Sequence, residues 1–364
     1  CPSMSLLSLR IQDFRNLTAV ELVPSPGLNL IVGANAAGKT SLLEGIFLLG
    51  HGRSFRSRHP ERLIREGADA CTVVGQVAGG GGGSGLTVGI ERSRQGWRAR
   101  IGGAPVRGLA ELAGQLPTQL INPDSHRLLE GGPQYRRRFL DWGVFHVEHR
   151  FLGAWQRYMR ALRQRNASLR AGEPVQSLNL WLPELVAAGT DIETYRRAYL
   201  EALGPKLSAT ASALLGTDTL SLRYLPGWPQ SYELAEALER SLSRDRMLGF
   251  TQHGPHRADL TVYLGDHPAR ERVSRGQQKQ LVAALILAAG AHYTEVTGRP
   301  CVYLVDDLPA ELDAEHRGRV MAQLARQGGQ AFVTAIEENA VALDAWDAGR
   351  TFHVEHGAVR EMVY

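Results

Sequence analysis

The chain has 364 residues, room for two domains or one large one, and its 43% hydrophobic content is that of a packed protein, which excludes a disordered chain. Its formal net charge is only +4, but the basic residues are clustered, a distribution that suits a polyanionic partner. The longest apolar stretch, Leu281 to Ala291, is too short to span a bilayer and no charged-then-apolar leader opens the chain, so the sequence reads as cytoplasmic with no membrane partner.

The first hundred or so residues predict strands at Leu6 to Ile11, Val20 to Val23, Leu28 to Val32, Cys71 to Val77, Leu86 to Glu91 and Trp97 to Ile101. Between the third of these and a helix predicted over Lys39 to Leu49 lies GANAAGKT, a complete match to the phosphate-binding loop GxxxxGK[ST]. Gly33, Ala34, Asn35, Ala36, Ala37, Gly38, Lys39, Thr40 and Ser41 make up this loop and its entry into the helix. The two glycines let the backbone aim successive N–H groups at a phosphate, Lys39 supplies charge to the β/γ-phosphates, and Thr40 offers a hydroxyl to Mg²⁺. Strand, loop and helix come in the order that places the positive end of the helix dipole at the anion.

Arg53, Arg56 and Arg58 crowd the segment after that helix, and Gly79 to Gly83 with Ser84 and Gly85 read as a flexible hairpin tip. Cys1, Cys71 and Cys301 are odd in number and lack metal-type spacing; Cys71 and Cys301 are small side chains for a core, and Cys1 carries no function. From about Ser125 to Ala291 the pattern turns helical, with one apolar stripe of Phe151, Trp155, Tyr158, Met159, Leu162 and Leu169 and another of Leu234, Ala235, Leu238 and Leu242. Neither sustains heptads. Arg136, Arg137 and Arg138 are consecutive, beside Glu130 and Asp141, and further arginines stud the helix predicted near 150–170. FHVEH occurs twice, at Phe145 to His149 and at Phe352 to His356, without the HExxH order of a zinc site.

Ser274-Arg275-Gly276-Gln277-Gln278-Lys279 leads into a helix, where N-terminal donors stabilise an anion. Strand–helix alternation then resumes with Val302 to Val305, a helix over Asp313 to Gln327, a strand over Gln330 to Thr334 and a last hairpin ending at Tyr364. Tyr303-Leu304-Val305-Asp306-Asp307 is an apolar strand ending in two carboxylates, the second element that a phosphate-loop ATPase needs: Asp306 to hold Mg²⁺ and Asp307 to orient a water. The predicted class is α/β, with 1–122 and 296–364 forming one discontinuous strand-rich nucleotide lobe and 123–295 an inserted, mainly helical lobe.

Taken in order, QDFRNL, GANAAGKTSLLE, GRSFR, PDSHRLLEGGPQYRRRFLDW, GPHRADL, SRGQQK and LVDDLPAELD make the chain similar, over nearly its whole length, to the RecF family of bacterial recombination mediators. The resemblance implies an ABC-type ATPase head like those of SMC proteins, without their long coiled coil. It implies that Lys39 and Thr40 bind ATP and magnesium, that Asp306 holds the metal, that Asp307 is the catalytic carboxylate, and that Ser274, with Gly276 and Gln277, forms the signature that grips nucleotide held by a second copy. By the same resemblance Gln119, in QLINPD, senses the γ-phosphate and the metal, while Arg15 and Asn16 lie near the nucleotide. Family members bind duplex DNA and single/double-strand junctions as ATP-held homodimers. They work with RecR, and functionally with RecO and RecA, in gap repair and the SOS response. Arg53 and Arg56 are the preferred phosphate contacts, with Arg136, Arg137 and Arg138 second; for the latter three a structural ion-pair role stands equally.

Ala36 stands where many relatives carry glycine, which narrows backbone freedom at one position. Asp307 stands where ABC transporters place the longer glutamate, so a slow hydrolysis is expected, and Thr334-Ala335-Ile336 occupies the place of the transporter switch histidine. A transporter motor would show no stimulation by DNA. A GTPase lacks its NKxD motif here, and a nucleotide-dead clamp conflicts with the competent residue at every catalytic position.

Overall fold

A computed structural model describes residues 5–362 apart from 58, 79–84, 218, 342–344 and 347–348. Cys1, Arg58, the glycine tip over 79–84 and Tyr364 therefore lie outside the described residues. The strands are β1 (Leu6–Phe14), β2 (Leu17–Leu22), β3 (Leu28–Val32), β4 (Ala70–Val77), β5 (Leu86–Ser93), β6 (Gly96–Ile101), β7 (Ala104–Pro105), β8 (Thr118–Ile121), β9 (Leu220–Leu225), β10 (Asp259–Leu264), β11 (His267–Pro268), β12 (Val302–Val305), β13 (Ala331–Ala335), β14 (Gly349–Glu355) and β15 (Ala358–Met362). The helix that follows the phosphate loop is α1 (Lys39–His51).

Two compact units emerge. The first comprises Cys1–Ser125, Ser212–Gly216 and Arg275–Tyr364; the second comprises His126–Ala211 and Thr217–Ser274. In the first unit an antiparallel sheet of order β2-β1-β4-β5-β6-β7 is joined by a sheet of order β15-β14-β3-β13-β12-β8. The second sheet is parallel except where β15 pairs antiparallel with β14. Its inner strands β3, β12 and β13 are buried at every position, the continuous apolar pattern of strands covered on both faces. Leu42, Leu43, Ile46 and Leu49 of α1 share a core with Leu9, Ile11 and Phe14 of β1.

Register decides where the chemistry falls. Val32 pairs with Ala335, Val305 with Val333, and Val305 with Ile121, so the carboxyl ends of β3, β13, β12 and β8 come level at one edge. In open α/β sheets that edge is the ligand edge.

The second unit holds the helices Pro133–Val147, Phe151–Arg170, Leu234–Arg240 and Leu242–Leu248, with most of the long helix Leu182–Leu215. It is mainly helical, and within it β9, β10 and β11 form a small antiparallel sheet of order β11-β10-β9. The signature helix, Arg275–Thr297, differs from the expected boundary at residue 295. It belongs to the first unit, because its buried run Leu281–Gly290 packs on β8 and on the helix Ala314–Gln327.

Candidate functional site

A cleft of about 600 Å³ opens at the carboxyl edge of the parallel sheet. The phosphate loop floors it. Gly33, at φ +156°, lies so close to β14 that a Cβ would come within 2.3 Å of the Val354 carbonyl oxygen, and Gly38 takes φ +123°. Only glycine satisfies either position. Ala36 adopts a left-handed φ of +63°, a conformation that costs a side chain roughly 1–2 kcal/mol. Asn16 braces that turn, donating from Nδ2 to the Ala36 carbonyl (3.3 Å) and accepting from Ser41 Oγ (2.8 Å).

Lys39 is buried, and its Nζ donates to the carbonyls of Gly33 (2.6 Å) and Ala34 (2.9 Å), which aims the ammonium into the loop. Burial lowers its pKa and the carboxylates of Asp307 and Asp306 raise it, so the charge is held against a desolvation cost that a phosphate would relieve. Thr40 Oγ1 sits 3.0 Å from both carboxylate oxygens of Asp306. Burial pushes Asp306 above the usual carboxylate range, while hydrogen bonds from Thr334 and Thr40 oppose the rise. Asp307 begins the next helix in a left-handed conformation, φ +55°, with its N–H donated to Thr334 Oγ1 (2.7 Å).

The donor set fits a hard divalent cation. Among the described residues no cluster of three or more His, Cys, Asp or Glu side chains exists to hold a metal unaided. The protein offers one hydroxyl and one carboxylate side by side, which suits Mg²⁺ completed by water and nucleotide phosphates.

Arginines form the opposite wall, where Arg15, Arg56 and Arg62 line the cleft. Behind them lies Glu44 of α1, fully buried. It accepts two bonds from Arg15 (2.9 and 2.7 Å) and one from Ser54 Oγ, and lies 3.6 Å from Arg56 Nη1. Arg56, expected on DNA, also lines the cleft, half-exposed and close to the buried Glu44 carboxylate. Sequence reasoning missed Glu44 and Arg62; the signal for Glu44 was a lone acid on the apolar helix SLLEGIFLL.

Gln119 needs correction too. It lies mid-strand in β8, level with Tyr303, and Pro123 rather than Gln119 lines the cleft. The strand runs two residues past Gln119 before Asn122 and Pro123 end it, so the edge position is not a glutamine. Gln119 is buried, with its Nε2 lacking a hydrogen-bond partner. Ser274, Gly276 and Gln277 are exposed at the start of the signature helix, and Gly276 and Gln277 do not line the cleft of their own chain.

In the second unit the arginine triplet has structural partners, among them the expected Asp141, whose charge acts on Arg137. Arg136 binds Asp259 bidentately (2.7 and 3.0 Å), and Arg137 donates to the Ala258 carbonyl (2.7 Å). Arg138 lies over the Tyr135 ring, and Asp141 is taken by buried Arg196 (2.8 Å). His256, in GPHRADL, meets Tyr158 Oη through Nδ1 (2.6 Å) and the Thr251 carbonyl through Nε2 (3.2 Å), a pairing that suits neutral imidazole with its proton on Nε2.

A glycine loop after a central parallel strand, a strand of the same sheet that runs into two aspartates, and a serine two residues before a glycine at the start of a long helix define an ABC-type ATPase head. Residues 5–359 match the model of the RecF/RecN/SMC N terminal domain. The chain is 49% identical over 364 residues to the DNA replication and repair protein RecF of Stutzerimonas stutzeri strain A1501, covering 99% of this chain and 98% of the relative. It is 46% identical to RecF of Thioalkalivibrio sulfidiphilus strain HL-EbGR7, covering 98% and 99%. The solved recombination mediator protein RecF-ATPrS in the RecFOR pathway superimposes with a TM-score of 0.87 at 26% identity, covering 100% of this chain and 99% of that one. An SmcHead bound to the C-winged helix domain of ScpA shares the fold, with a TM-score of 0.57 at 17% identity and coverage of 98% and 97%. The chain belongs to the RecF family.

Proposed function

We propose that this chain is an ATP-dependent, DNA-binding recombination mediator that pairs with a second copy around ATP·Mg²⁺, holds duplex DNA at gaps and junctions, and works with RecR in loading RecA. The observation that carries the reading is Lys39, Thr40 and Asp306 converging at one sheet edge. Loop N–H groups and Lys39 bind the β- and γ-phosphates. Thr40 and Asp306 would hold the metal, which would supply positive charge to neutralise the phosphates. Asp307 orients the attacking water. Ser274, Gly276 and Gln277 of each copy close on the γ-phosphate held by the other, so binding drives pairing and hydrolysis releases it. Because Asp307 is one methylene shorter than glutamate, the water is held less closely and the clamp reopens slowly. Arg53 contacts DNA phosphates without reading bases, which makes the affinity salt-dependent.

Titration with a fluorescent ATP analogue, combined with light scattering, tests this reading. The intact chain should bind nucleotide and double its mass on adding ATP and Mg²⁺. Lys39→Ala should weaken binding by about tenfold or more and abolish the mass change, since a charge-assisted contact to phosphate is lost. Equal binding by the variant would overturn the assignment.

A further inference from the structure

Thr334, near the end of β13, is fully buried, and its hydroxyl both donates and accepts. It donates to Asp306 Oδ1 (2.8 Å) and accepts the backbone N–H of Asp307 (2.7 Å). No other described side chain bonds both members of the aspartate pair in this way. The backbone of Asp306 is fixed from the opposite side, its N–H donated to the Ile121 carbonyl of β8 (2.8 Å). The carboxylate, in contrast, is hydrogen-bonded among the described residues by hydroxyls, Thr334 on one oxygen and Thr40 near both.

We infer that Thr334 is a positioning residue for the hydrolytic step, acting through both aspartates at once. Donating to Oδ1 fixes the rotation of the Asp306 carboxylate and leaves its second oxygen facing Thr40, the geometry required for one carboxylate and one hydroxyl to share a cation. Accepting from Asp307 holds the left-handed turn that a non-glycine residue otherwise resists, and that turn sets where the Asp307 carboxylate emerges. A hydroxyl can do both because it carries one proton and two lone pairs; a methyl can do neither. β13 therefore carries a mechanical link between the metal-holding and water-orienting carboxylates. The inference rests on the ATP reading above and adds a residue to it.

The test compares Thr334→Val, a β-branched isostere that suits a strand, with Thr334→Ser, which restores the hydroxyl. Three quantities are measured on the full chain: affinity for a fluorescent ATP analogue without metal, Mn²⁺ affinity of the ATPγS complex by electron paramagnetic resonance, and single-turnover hydrolysis. Thr334→Val should keep metal-free nucleotide affinity within about twofold, but lose about tenfold in Mn²⁺ affinity and ~10–100-fold in hydrolysis, the usual scale for a residue that orients a ligand. Thr334→Ser should return both to within about threefold of the parent. If Thr334→Val binds Mn²⁺ and hydrolyses like the parent, or if Thr334→Ser is as impaired as Thr334→Val, the positioning role is overturned. If the parent chain binds no nucleotide, the ATP reading itself falls, an outcome distinct from either.

Discussion

Glu44 explains why Arg56, expected on DNA, lines the cleft beside Arg15. A buried carboxylate must be compensated, and Arg15, Ser54 and Arg56 supply the donors. Arg56→Ala should therefore weaken ATP binding by about tenfold while leaving the slope of log Kd for duplex DNA against log salt unchanged. Nucleotide titration and salt-dependent fluorescence anisotropy check this. A slope reduced by about one, with unaltered ATP affinity, would return Arg56 to the DNA backbone. Lys39, Thr40 and Asp306 were legible because local motifs fix them, the first two where a glycine loop enters a helix and the third just past an apolar strand. Gln119 was misread because the end of a strand depends on register against its neighbours, and one residue of slip moves a side chain to the other face. Thr334 was noticed only as the absence of a histidine, since nothing local in AFVTAI shows that its hydroxyl spans two aspartates.

The two copies of FHVEH show what local sequence cannot decide. In the first, Phe145 and His146 end the helix Pro133–Val147; in the second, the same residues lie in β14, with Phe352 and Val354 buried and His353 exposed. Tertiary context overrides propensity. The same limit hid β9 and β10, short strands between strongly helical stretches, whereas the apolar runs at β3 and β12 were plain. In the second unit these elements are fastened by polar groups, and burial pushes both His146 and His256 down to about 4. The sign follows from linkage: the unfolded chain takes up protons below about pH 6.5 and the native histidines do not until about pH 4. Their contribution is thus full above pH 6.5 and is lost as the pH falls through that window. Urea midpoints at successive pH values should drop below pH 6.5, and His146→Phe, which keeps a ring beside Trp142, should make the decline shallower. An unchanged slope would remove His146 from the linkage.

At the scale of the whole molecule, the chain divides its proposed chemistry. The first unit supplies the cleft, and Ser274 is the last residue of the second, immediately before the 23-residue signature helix. In the proposed pairing, a triphosphate in the cleft would present its γ-phosphate to the exposed helix start of another copy, which would offer a hydroxyl, backbone N–H groups and the positive end of a dipole. Such pairing would depend on nucleotide, because both surfaces would gain from the same anion. A bulky cation at Ser274 removes the hydroxyl and fills the space where the partner's phosphate would approach, without touching the loop of its own chain. Ser274→Arg should therefore bind the fluorescent ATP analogue within about twofold of the parent, yet show no mass increase with ATP and Mg²⁺ in light scattering. Loss of nucleotide binding would mean that Ser274 acts within its own chain, and undiminished pairing would place the dimer contact elsewhere.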